Sequence, residues 1–194
     1  MARGWLEIQL LDGEKLLHYH KQRMRSYLAN WVLILIAAFS ESVVSKEATV
    51  TDRNGENIAI PNLPNTSVPF ASVKAAEGNS EYGILFGSGT KAVSLADYDL
   101  EAAIAHGSGS GQLYYYGTEQ SYELLDSAAR YIVTRSAVNQ SGADITVSEV
   151  GLACRVYKGA DPHNVLVIRD VLDTPQVVAN GKTITARYIL EFPL

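Results

Sequence analysis

Tyr131–Tyr157 reads YIVTRSAVNQSGADITVSEVGLACRVY, and Asn164–Phe192 reads NVLVIRDVLDTPQVVANGKTITARYILEF. These are four runs of β-branched and apolar residues separated by turn residues. In the last run Ile184, Ala186, Tyr188, Leu190 and Phe192 alternate with Thr183, Thr185, Arg187, Ile189 and Glu191. A period of two puts one set on each face of a strand, with Ile184, Ala186, Tyr188 and Leu190 toward a core. Asn180-Gly181 is the dipeptide best suited to φ > 0 at both centres of a tight hairpin turn. Ile145 and Val147 give way to Val150, Leu152, Cys154 and Val156. That change of register predicts a β-bulge or bend at Glu149, where a strand would turn a corner between two sheets. The segment reads as an antiparallel β-layer, and nothing in it looks like a catalytic apparatus.

Outward from this layer, composition sets the class. Across 194 residues, 47% are hydrophobic and 19% charged, which is the make-up of an ordered globular chain with part of its surface covered by partners. A net charge of −5 argues against a nucleic-acid backbone as the main ligand, because phosphate binding needs clustered cations. The single cysteine, Cys154, excludes an intrachain disulfide and reads as a small buried residue. The start, with Asp12, Glu14 and Lys15 close to Trp5 and Leu6, does not fit a secretory signal. The densest apolar run, Trp31–Phe39, falls short of the roughly 20 residues that cross a bilayer. Despite the cations at Lys21, Arg23 and Arg25, it reads as a helix packed on protein, and a membrane partner is not expected.

Residues 14–45 lack Pro and Gly, and Asp12 stands where it can cap a helix. Met24, Leu28, Trp31, Leu35 and, with Ala38 beside it, Phe39 form an apolar stripe at helical spacing. Since Val32, Leu33, Ile34 and Ile36 are apolar too, this helix needs burial on several sides. The expectation is an N-terminal helical arm over residues 1–46, packed on neighbouring subunits or on its own β-domain, followed by a β-domain over 47–194. A chain starting near Lys46 would then fold yet fail to assemble. Glu47–Ile60 reads as a hairpin around Arg53-Asn54-Gly55, and Pro61–Pro69 as an extended connector. Tyr82–Phe86 and Leu113–Tyr116 read as short strands, and Leu95–Ile104 as a loop or short helix. His106–Gly111 reads as an exposed glycine-serine loop.

The chemistry-bearing patterns are weak. Gly87-Ser88-Gly89-Thr90-Lys91 lacks the glycine spacing of a phosphate loop and reads as a glycine-rich turn. His18 and His20, two apart on a helix, would point away from each other. His106 beside Ser108 has no nucleophile elbow, and His163 sits in a turn-like stretch. Asp97, Asp99 and Glu101 lack the rest of a calcium loop. Asn65 and Asn139 open glycosylation triplets that read as chance. No catalytic, cofactor-binding or metal-ligating residue is assigned. Tyr114, Tyr115 and Tyr116 must split between both faces of a strand, in the core, at a subunit interface or on a sugar platform.

Two stretches carry a resemblance. Gly87, Gly89, Thr90, Asp97, Tyr98, Leu100, Glu101, His106 and Gly107 fit a "G-T-G-T…DY.LE..I.HG" pattern. Ser141, Gly142, Ile145, Val147, Glu149, Val150, Gly151, Leu152, Arg169, Asp170, Asn180 and Gly181 fit "NNSG..ITV.EVGL…ARDVL…V.NG.T.TV.Y". Over residues 80 to 192 the chain resembles a group of tailed-bacteriophage virion proteins. The resemblance implies a virion component and no enzymatic residues.

The fold expected is mainly β, an antiparallel β-sandwich of jelly-roll-like kind with an N-terminal α-helix. The function expected is a non-enzymatic structural subunit of a bacteriophage particle, in capsid decoration, neck or tail, made in the host cytoplasm. Its partners would be other virion proteins and further copies of itself. The alternative is a carbohydrate- or receptor-binding β-sandwich module. An enzyme ranks third, because no nucleophile–base pair or paired carboxylates emerge.

Overall fold

The computed structural model describes residues 3–24, 26–39, 48–60, 71–158 and 160–193. It is mainly β, with antiparallel sheets and one short helix among the described residues. The first sheet contains β1 (Arg3–Asp12), β2 (Lys15–Arg23), β7 (Leu113–Leu125), β8 (Ala128–Asn139) and β11 (Thr183–Pro193) in the order β2-β1-β11-β8-β7. The second contains β5 (Ala71–Ser72), β6 (Gly83–Gly87), β9 (Ile145–Lys158) and β10 (Asp161–Val178), with β10, β5 and β6 all pairing with β9. A small hairpin of β3 (Ala48–Thr51) and β4 (Asn57–Ile60) completes the set.

The expected helical arm over residues 1–46 is corrected. Residues 3–23 are two strands, and the helix α1 spans only Ala29–Phe39. In β1, Leu6 and Ile8 enter the apolar core while Glu7 between them bonds Lys21 and Arg187 on the other face, so the local period is two. Asp12 does not cap a helix. It flanks a two-residue turn in which Asp12 faces Lys15 and Gly13 alone takes a positive φ, 58°, as a type II′ turn requires. Strand β2 escaped notice because it is an edge strand with both faces largely wet, so no apolar alternation marks it.

The helix docks on its own chain. The Asn30 side chain donates to the carbonyl of Thr51 (2.8 Å) and to that of Leu166 (3.2 Å) and accepts from the Thr51 amide (3.0 Å). Of the predicted stripe, Met24 and Leu28 precede the helix, and the Leu28 amide donates to Val167 on β10. No helix of the described residues is long and apolar enough to cross a membrane. The hairpin predicted over Glu47–Ile60 is present as β3 and β4, but the Pro61–Pro69 connector lies outside the described residues.

The C-terminal runs do not form one layer. β8 and β11 belong to the first sheet, β9 and β10 to the second. Asn180-Gly181 therefore connects two sheets and joins no paired strands, and only Gly181 has φ > 0 (79°). One cluster of buried residues draws on both sheets: Leu6, Ile8, Val133, Ile184, Ala186, Tyr188 and Leu190 come from the first, and Ile84, Phe86, Val150, Leu152, Cys154 and Val167 from the second. The second sheet is also covered behind, where Leu28, Leu85, Leu100, Ala153 and Leu166 cluster. A strand buried on both faces reads as a continuous apolar run, as Val150–Cys154 does. The change of register between Val147 and Val150 is real: the partner of Val147 is Gln176 while that of Glu149 is Val171. β9 nonetheless stays in one sheet, so the predicted corner is absent.

Candidate interaction surface

The irregularity aims Glu149 behind the second sheet, into a polar cluster. Arg169 Nε donates to Glu149 Oε2 at 2.8 Å, Nη1 to Asp97 Oδ2 at 2.8 Å and Nη2 to the Lys91 carbonyl at 3.1 Å. Glu149 Oε1 accepts from the amides of Ala102 (2.8 Å) and Gly89 (3.1 Å), and Oε2 from that of Glu101 (3.2 Å). Glu101 in turn accepts from the amides of Thr90 and Lys91, both at 2.6 Å. A Cβ on Gly89 would stand 2.5 Å from Glu149 Oε1, so glycine is required for the backbone to reach the carboxylate. Burial alone would lower the Arg169 pKa, but its bonds to Glu149 and Asp97 outweigh that and raise it. A pocket of about 370 Å³ opens beside this cluster, floored by Arg169. Of its charged lining, Arg169, Asp97 and Glu101 are used in holding residues 88–104 onto the sheet.

The other flagged residues are also used internally. Asp99 accepts from Arg53 Nε at 2.6 Å, whereas Asp97 and Glu101 both face Arg169, at 2.8 and 4.0 Å. His163 lies in β10, not a turn, with Nδ1 3.2 Å from Asp52 Oδ2. His18 and His20 lie on a strand and share a face, opposite Leu10 and Ile8. His106 is half-buried, with Nδ1 accepting from the Tyr115 amide at 3.1 Å, while Ser108–Gly111 are exposed. Asn139 is buried, its amide donating to Ala143 and Val178, both at 2.7 Å; Asn65 lies outside the described residues. Cys154 is buried in the core and its thiol is pushed up to about 12 by burial.

The candidate interface residues divide. Tyr115 is fully buried, its hydroxyl accepting from the Phe86 amide (3.0 Å) and donating to the Ile104 carbonyl (2.9 Å). It is a core residue of its own chain and is removed from the interface set. Tyr116 is exposed, and Tyr114 is half-buried with its hydroxyl on Glu77 at 2.6 Å. Leu28 is fully buried and is likewise removed; Met24 and Trp31 pack on the core from its margin. Leu35 stays exposed, and the Phe39 side chain lies outside what is described.

What the sequence did not reveal is the outer face of the five-stranded sheet, which carries rows of charge. One register row runs Glu119 (β7), Thr134 (β8), Arg187 (β11), Glu7 (β1), Lys21 (β2). Within it Arg187 Nη1 donates to Glu7 Oε2 at 3.1 Å and Lys21 Nζ to Glu7 Oε1 at 3.0 Å. Another row runs Glu123, Arg130, Glu191, with Arg130 3.5 Å from Glu123 and 2.8 Å from Glu191. Burial would raise the Glu7 pKa; the bonds from Lys21 and Tyr19 and the charges of Lys21 and Arg187 overcome it and hold the carboxyl low. Lys21 and Arg23 also stand over the Trp5 ring, 5.1 and 5.7 Å from its centroid. The signal that was available is the Asp12-Gly13 turn following an alternating Leu6, Ile8, Leu10 strand.

Compared with known protein families, curated proteins and solved structures, the chain matches none of them.

Proposed function

We propose that this protein is a non-enzymatic structural subunit of a tailed-bacteriophage virion, acting through protein–protein contacts with other virion proteins and with copies of itself. Its two antiparallel sheets are read as a β-sandwich of jelly-roll-like kind, joined by links from β8 to β9 and from β10 to β11. The observation that carries the proposal is the Glu149–Arg169 cluster. Six of the residues behind the resemblance, Gly89, Thr90, Asp97, Glu101, Glu149 and Arg169, meet there, and their charged side chains bond backbone amides, a carbonyl and each other. Such residues serve a shared framework, which fits a likeness between structural proteins. Antibody raised against the purified protein should label intact particles of a phage that encodes it, at one fixed position. Absence of the protein from purified particles would overturn the proposal; selective retention on a glycan array in that case would favour the carbohydrate-binding module.

A further inference from the structure

We infer that two copies of this protein pair through the free edge of β7, antiparallel and two-fold, with Tyr122 of each copy on the symmetry axis. This rests on the reading of the chain as a subunit that contacts copies of itself, and it names the surface that does so.

Among the described residues, the side of β7 away from β8 is unpaired over residues 119–125, all of which are exposed. Such an edge offers a row of N–H and C=O groups to another chain, and a protein that keeps an edge single blunts it with lysine, proline or a bulge. The opposite edge of the sheet, β2, is blunted in this way, with Lys15, Lys21 and a register shift beside Leu11. Residues 119–125 hold no lysine, no proline and no register shift. Tyr122 and Leu124 stand on this edge, each 77% exposed.

Main-chain parity restricts how it can pair. Leu125 faces Ala128 across the two-residue turn Asp126-Ser127, and residues flanking such a turn bond each other. Odd positions therefore turn their groups to β8, while Gln120, Tyr122 and Leu124 turn theirs outward. Thr118 obeys the same rule, its amide donating sideways to the Ala75 carbonyl at 2.8 Å. That bond also ends the open edge, because Ala75 occupies the lane beside residue 118.

Length and charge then select one register. An axis at Tyr122 matches all of residues 119–125: Gln120 lies against Leu124 of the partner, Glu119 against Leu125 and Ser121 against Glu123. No carboxylate opposes another, and Glu123 keeps Arg130 of its own chain at 3.5 Å. An axis at Ser121 would drive Leu124 into the lane held by Ala75 and set Glu119 against Glu123. An axis at Glu123 would oppose the two Glu123 carboxylates and leave residues 119 and 120 unmatched. Like charges directly opposite are unfavourable. Tyr131 lies beside Tyr122 on β8, so the axis at Tyr122 also makes an unbroken row of tyrosines from one copy to the other, and aromatic cross-strand pairs are favourable.

Sedimentation of the full-length protein tests this, with each variant checked for folding by thermal melts. The wild type should form a closed dimer. Tyr122→Pro removes an outward N–H in each copy and leaves the bonds to β8 intact, so it should weaken dimerisation about tenfold or more. Cysteine cross-linking reads the register. Ser121→Cys and Glu123→Cys should join to each other when mixed, since opposed residues of this kind stand about 4.5 Å apart between Cα atoms. Neither should join to itself, because the diagonal separation is about 7–8 Å. Cys154 is buried and does not compete. A wild type that is monomeric at every concentration overturns the inference. So does a folded Tyr122→Pro variant that dimerises as well as the wild type, or cysteine variants that join to themselves and not to each other. The mixed cross-link in solution with no protein in particles would sink the virion reading alone. Protein in particles with no mixed cross-link there or in solution would sink this inference alone.

Discussion

Arg169 and Glu149 stand diagonally across β9 and β10, 2.8 Å apart from Nε to Oε2, and both side chains are almost wholly buried. The pair is net stabilising only so long as every charge and amide around it is satisfied. Here the surrounding amides of Gly89, Glu101 and Ala102 complete the carboxylate's shell.

Removing one member should therefore cost much. Arg169→Met leaves Glu149 as a buried charge without its cation and should destabilise by about 3–5 kcal/mol in urea melts. Gly89→Ala should also destabilise, because the added Cβ meets Glu149 Oε1. Unchanged midpoints for both would show that the loop over residues 88–104 is not held by this cluster.

The two faces of β11 differ less than the alternation alone suggests. Leu190 is 3% exposed, so Leu190→Ala should cost about 2–5 kcal/mol. Thr185, whose face the alternation leaves to solvent or to a neighbour, is 7% exposed and its Oγ1 lies 2.7 Å from Ser136 Oγ. Thr185→Ala should cost about 1 kcal/mol, the size of one hydrogen bond, where the alternation alone predicts less than about 0.5. A cost equal to that of Leu190→Ala would contradict the facing observed.

Arg135 is buried, and among the described residues no carboxylate pairs with it. Its guanidinium donates to the carbonyls of Tyr116, Tyr82, Ile84, Ala76 and Asn79, and burial lowers its pKa to about 10. Arg135→Lys keeps the charge but has only three donors, so carbonyls are left unpaired. A loss of about 1–3 kcal/mol in chemical denaturation is expected; no loss would mean that solvent replaces those bonds.

Acid should weaken the fold through Glu7 and Asp52. Burial would raise the Asp52 pKa, but the Glu56 amide, His163 and the Asn54 amide outweigh it and lower the value. Both groups have folded pKa values below their ordinary ones, 4.5 and 3.8. Their contribution is present above those values and is lost as pH falls through the folded pKa values. Thermal melts should thus decline below about pH 4, and Glu7→Gln should flatten part of that decline. A Glu7→Gln variant with an unaltered acid profile would remove Glu7 from this account.

A chain starting near Lys46 should not fold. It lacks β1 and β2, and with them Leu6 and Ile8, each worth about 1.5–3 kcal/mol by burial, and it leaves β11 as a raw edge. A cooperative melt from such a chain would restore the separate-arm reading.

By itself the sequence determined the mainly antiparallel β character, the inward set Ile184, Ala186, Tyr188 and Leu190, the register change ahead of Val150 and the buried Cys154. These are consequences of period-two alternation and of burial on one face, which neighbouring residues record directly. Only the tertiary structure decided that residues 3–23 are strands, because β1 is specified by β11, whose partner residues lie more than 170 positions away, and an edge strand such as β2 buries too little to show a pattern. It also divided the C-terminal runs between two sheets, since a turn dipeptide sets local φ and ψ but not the partner of the strand that follows. Lys21 and Glu119 fell on one row at opposite edges for the same reason: strand order is settled by long-range pairing, and no local spacing encodes it.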